Sequence, residues 1–175
     1  RFVVGLTLSP ADIGIYFRNI ALGNLLMQFL NIASINRITP IVYHQSRGGL
    51  FQKAQKIISL EWRKVCTLLL VLFTLLFITK FLMGDIASKW SIQIHFILVL
   101  IIGVFARIQA DFSGILLLSV SKDRCILINQ TTAVLLGSLL TFLLIYEFGL
   151  LGAFIGACLS HFIYMALNWR SLRHT

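Results

Sequence analysis

Charge is what this sequence has least of. Only 12% of its 175 residues are charged, and six of them are acidic. A soluble domain has about a quarter of its residues charged. With 58% hydrophobic residues and a mean hydropathy of +0.91, the composition excludes a water-soluble core. Runs of alternating apolar and polar residues are also missing. That excludes strands, because open sheet edges are not tolerated in lipid. The three cysteines, Cys66, Cys125 and Cys158, have no metal-ligand spacing. Each is flanked by apolar residues and reads as a small buried hydrophobe. The histidines, His44, His95, His161 and His174, are scattered and form no metal cluster. There is no GxSxG, no Walker loop and no useful carboxylate pair, so the sequence implies no enzyme, no metal and no cofactor. No cleavable signal peptide is visible.

What remains is apolar length. Several stretches reach the roughly 20 residues that a helix needs to cross a bilayer. The expected fold is an all-α, polytopic membrane helix bundle of five full transmembrane helices. They run from Asp12 to Ile41, Val65 to Met83, Ile94 to Leu118, Ile126 to Tyr146 and Leu150 to Trp169. The opening RFVVGLTLS reads as the end of a further helix, so a longer parent protein is expected.

The net charge of +9 sits between the spans rather than in a nucleic-acid footprint. Arg47, Lys53, Lys56, Arg63, Lys64, Lys122, Arg124, Arg170 and Arg173 fall on one side, against Arg1 and Lys89 on the other. Cytoplasmic loops carry the excess of Lys and Arg. The basic side is therefore cytoplasmic, and the first span enters from outside. In the first basic loop, Leu50, Ile57, Ile58 and Trp62 can share one helical face. That suits a connecting helix in the membrane interface, anchored by its basic residues.

Polar residues inside the spans are the functional signal. Asn24, Gln28, Asn31 and Ser34 lie four, three and three residues apart, along one helix side, with Arg18 toward the same side. Such a stripe faces other helices or a wet cavity. In the third span, Gly103, Arg107, Asp111 and Gly114 form another stripe. Lys80 and Arg37 lie near span ends, and Lys80 can snorkel to the surface. Arg107 is near the middle, where an arginine costs about 2.5–3.5 kcal/mol on insertion scales. Asp111, four residues on, is placed to pair with it. Either the two neutralise each other and fix packing, or Arg107 supplies positive potential to a cavity and Asp111 serves as its ion pair or in coupling. In the fifth span, Gly149, Gly152, Gly156 and Ser160 form a small-residue ridge that permits close helix packing.

Two stretches carry a family resemblance. LSPADIGIYFRNIALGNLL, Leu8 to Leu26, resembles the segment that opens a helix in the Wzx-like polysaccharide flippases, with Pro40 placed as in that family. YEFGLLGAFIGACLS, Tyr146 to Ser160, is similar to their closing turn between the last two helices. These proteins share a superfamily with the MATE drug antiporters. The resemblance implies most of the second lobe of a two-lobe transporter in the bacterial inner membrane, with the N-terminal lobe as its partner. It implies a cationic cavity that takes an undecaprenyl-pyrophosphate-linked oligosaccharide, of O-antigen or capsular type, across the bilayer. Arg107 would then meet the diphosphate, Asn24, Gln28 and Asn31 the sugar hydroxyls, and Arg18 would be a further cavity residue. A small-molecule antiporter and a non-transporting structural subunit are the competing readings, with an enzyme of the same pathway last.

Overall fold

A computed structural model describes residues 2–47, 50–82 and 94–173. Arg1, Met83, Lys89 and His174 lie outside them, as do the side chains of Arg47, Lys80 and His95. The described residues form helices and no strand. In chain order these are α1 (Phe2–Thr7), α2 (Pro10–Leu30), a π turn (Asn31–Ile35), α3 (Asn36–Arg47), α4 (Phe51–Leu82), α5 (Ile94–Ser119) and α6 (Asp123–Leu172).

Helix α2 starts at a built cap. The Ser9 hydroxyl accepts from the Asp12 N–H at 3.2 Å and donates to its carboxylate at 2.7 Å. Pro10 occupies the first helical turn, where its missing N–H costs nothing. Ser9 and Asp12, two residues that carried the resemblance, therefore have a local structural job. The π turn follows, closed by the Asn36 N–H on the Asn31 carbonyl. Below it, Ile38 and Val42 of α3 pack with Ala54, Ile58, Val65 and Leu69 of α4.

Two boundaries differ from expectation. The Leu50 to Lys64 segment is the first half of α4 and runs unbroken into the expected second span. Its apolar face packs on the protein, with the Trp62 ring 4.3 Å from Phe105 and 6.2 Å from Phe112 between ring centres. Leu50, expected on that face, is exposed. The expected fourth and fifth spans join in α6, which breaks at Gly149 alone (φ 54°, ψ −131°), a conformation that L side chains rarely adopt. Among the described residues, three helices are long and apolar enough to cross a membrane: Pro10–Ser46, Leu98–Ser119 and Asp123–Leu172. Five were expected. The difference comes from the joining of the last two and from α4, whose outer end reaches the undescribed residues.

The two arms of α6 run antiparallel in close contact. Asn129 faces Asn168, Gly137 faces Ser160, and Thr141 faces Gly156. A Cβ on Gly137 would sit 2.5 Å from the Ser160 Cβ. One on Gly152 would strike the Leu144 carbonyl, and one on Gly156 would strike Thr141. The small-residue ridge thus serves packing within the chain. Gly103 extends it to α5, because its Cβ would meet the Cys158 sulfur at 2.7 Å. Gly114 is looser, with the Tyr164 hydroxyl 3.7 Å away. At the far end, the buried Asn168 amide donates to the Ala110 carbonyl at 3.3 Å and ties the hairpin to α5.

Glu61 pins α4 to α3. Its Oε1 accepts from Arg37 Nη2 at 2.6 Å and from Lys64 Nζ at 2.8 Å. Burial alone would raise this carboxyl's pKa, but the Lys64 hydrogen bond and the charges of Arg37 and Lys64 outweigh it and hold the group below its ordinary 4.5.

Two outcomes check this packing. Gly156→Ala lowers stability by about 1–3 kcal/mol through overpacking. Gly14→Ala, where a Cβ would meet nothing within 4 Å, is neutral or slightly stabilising. Thermal unfolding in detergent reads both, and equal behaviour would contradict the hairpin packing. A carboxyl with a depressed pKa stabilises above its unfolded value and loses that contribution as pH falls through its folded value. Glu61→Gln therefore costs about 1–2 kcal/mol at pH 7. The gap between variant and wild type closes as the pH falls below 4.5. A gap that persists through strong acid would show that charge is not what Glu61 contributes.

Candidate functional site

Helices α2 and α5 run in the same direction. Asn24 of α2 meets Arg107, and further along the Ser46 hydroxyl of α3, which continues α2 beyond the π turn, donates to the Ser119 carbonyl. Gly23 makes room for Leu100, 3.2 Å from its projected Cβ. The α6 hairpin packs on the same part of α5, through Gly103 and Cys158. Tyr16 and Phe154, with ring centres 5.1 Å apart, close the space between α2 and the second arm.

A half-enclosed cavity of about 520 Å³ lies between these elements. Asn24 from α2 and Arg107 from α5 line it. The first arm of α6 adds Ser138 and Thr141, and the second adds Cys158, Ser160 and His161. Met27, Leu100, Val104 and Phe154 supply apolar wall. Among the described residues, no aspartate or glutamate lines the cavity. The cavity therefore combines one permanent cation, one imidazole, hydroxyls and an amide.

Arg107 Nη1 donates to the Asn24 side-chain oxygen at 3.4 Å. That is longer than the usual range of about 2.7–3.2 Å, so the contact is weak. A guanidinium has five N–H donors in a planar fork, and this contact engages one nitrogen. Asp111 is half-buried, lies outside the lining, and makes no ion pair with Arg107. The guanidinium's hydrogen bond reaches across to α2 rather than along its own helix, while Asp111 stays within its electrostatic range.

The expected polar stripe of α2 is split. Tyr16, Asn19, Gly23, Met27 and Leu30 take the buried face, with Ser34 continuing it in the π turn. Asn24 lies at its edge and reaches the cavity. Arg18 and Gln28 are exposed and do not line it. Asn31 is half-buried at the start of the π turn, and its side-chain oxygen is buried without a hydrogen-bond partner. The structure thus brings together Arg107, Asn24, Gly103 and Ser160 of the expected residues.

It also adds Ser138, Thr141 and His161, which sequence reasoning did not single out. His161 carried a usable signal as an ionisable residue inside an apolar span. It was weighed only as a metal ligand. Among the described residues, no group of three His, Cys, Asp or Glu side chains is placed to hold a metal ion.

Comparison with known protein families, with curated proteins and with solved structures finds no match for this chain.

Proposed function

We propose that this chain forms one lobe of a membrane transporter that flips an undecaprenyl-pyrophosphate-linked oligosaccharide across the bacterial inner membrane. The observation that carries the reading is Arg107. It lies near the middle of an apolar helix and lines a half-enclosed cavity that has no carboxylate in its wall. An arginine at that depth is expensive and marks a site by default. Guanidinium pairs with phosphate through two parallel hydrogen bonds, which suits a diphosphate headgroup. Asn24, Ser138 and Thr141 offer hydrogen bonds to hydroxylated cargo.

In this reading the chain crosses the membrane five times. α2 with α3, then α4, α5 and each arm of α6 make one crossing apiece, with the basic connections on the cytoplasmic side. Transport follows from alternating access, one lobe rocking against the other. Arg18 and Gln28 of α2 face away from the cavity, on the side where the opposite lobe would sit. A cavity built for cationic drugs would favour acidic and aromatic walls, and this lining has no acid.

The test uses the full-length parent gene in a flippase-deficient strain that makes the parent's own repeat unit. Wild type restores surface polysaccharide. Arg107→Ala at matched membrane levels lowers it at least about tenfold, the equivalent of roughly 1.4 kcal/mol. Partial rescue by Arg107→Lys would show that charge matters more than the planar fork. Full activity of Arg107→Ala would make the arginine a packing element and remove the basis of this reading.

A further inference from the structure

The cavity holds two nitrogenous groups, one permanently charged and one titratable. Arg107 comes from α5 and His161 from the second arm of α6, so they approach the same space from different helices. Nothing in the lining balances them. The other polar groups that face His161's cavity are Tyr16 and Asn24 on α2, Ser138 and Thr141 on the first arm, and Cys158 and Ser160 on its own arm. Asp111, one turn along α5 from Arg107, is outside the lining and makes no salt bridge, but it lies within electrostatic range of the guanidinium and offsets part of its charge.

We infer that His161 is a second, proton-dependent contact for the anionic group held at Arg107, so that anion binding in this cavity is linked to proton uptake. This rests on the reading of the cavity as a diphosphate site. The physical basis is charge balance. A diphosphate carries more negative charge than one guanidinium neutralises. An imidazole gains its second N–H donor only when protonated, and histidine is the side chain that ordinarily changes charge near neutral pH. An anion between the two groups favours the charged imidazole, and by linkage a lower pH then favours the bound anion. The apolar wall of Met27, Leu100 and Phe154 strengthens the coupling, because water screens it less there.

The experiment measures binding to the purified full-length protein in detergent at pH 6 and pH 8. The probes are farnesyl diphosphate and, in a separate arm, inorganic pyrophosphate. Each probe's own titration is common to every variant, so the readout is the ratio of affinities at the two pH values. In wild type that ratio exceeds the ratio in His161→Gln by about tenfold, the effect of a bound anion that raises the imidazole's pKa by about one unit. His161→Asn serves as the second variant should the first misfold. Arg107→Gln loses affinity at both pH values. Binding of farnesyl diphosphate but not pyrophosphate assigns the site to a lipid headgroup, and binding of both assigns it to the diphosphate alone. An unchanged pH ratio in both His161 variants, with Arg107→Gln still defective, would overturn the His161 role and leave the anion site standing. Binding of neither probe to wild type, or full binding by Arg107→Gln, would overturn both.

Discussion

The arrangement depends on how closely the two arms of α6 approach. Gly149 reverses the chain in a backbone conformation that favours glycine, and Gly152, Gly156 and Gly137 leave no Cβ between the arms. In an apolar surrounding, helices gain little from burying apolar area, so van der Waals contact and side-chain hydrogen bonds do the holding. Close approach maximises the first. The Ser160 hydroxyl on the Ala133 carbonyl and the Asn129 amide on Asn168 supply the second. The same register fixes what remains on the outside of the hairpin. Ser138 and His161 end up beside α5, and the cavity follows from that geometry.

Arg107 is tolerable because of this construction. A charge in the middle of an apolar helix must reach water, a partner or both. Its contact with Asn24 is long, and Asp111 is not paired with it. What remains is a polar, partly open space. Packing elsewhere is made differently, by Glu61 between Arg37 and Lys64 and by the Asn168 bridge to Ala110. One part of the bundle is clamped by a charged cluster and a buried amide, and the cavity part is held by shape, with its guanidinium facing a partly open space.

Much of the helical organisation was legible in the sequence because apolar length and glycine placement encode it directly. The ridge at Gly152 and Gly156 needed only a spacing argument, and Asn24 and Arg107 stood out as polar residues in apolar runs. The misreadings share a cause. Periodicity says which residues share a face, but not which face a neighbour will cover. Gln28 sits one helical turn from Asn24 and is nonetheless exposed, since the buried stripe runs through Gly23 and Met27. The π turn at Asn31 adds a residue to the helix, and no composition signal marks it. Arg107 and Asp111 have ideal spacing for a pair, yet an acceptor on another helix took the guanidinium. His161 was visible, but its meaning came only from the helix opposite.

Water access to the cavity is the central claim, and cysteine labelling tests it most directly. In a full-length protein with the natural cysteines of this chain replaced by serine, Ser138→Cys and Leu139→Cys are neighbours on α6. Both positions are exposed in the isolated chain, but only Ser138 lines the cavity. The thiolate that reacts with a charged, membrane-impermeant methanethiosulfonate forms only where water reaches. The account predicts labelling at Ser138→Cys and protection by lipid at Leu139→Cys. Labelling at neither position would mean a dry interior, and Arg107 would then need another explanation.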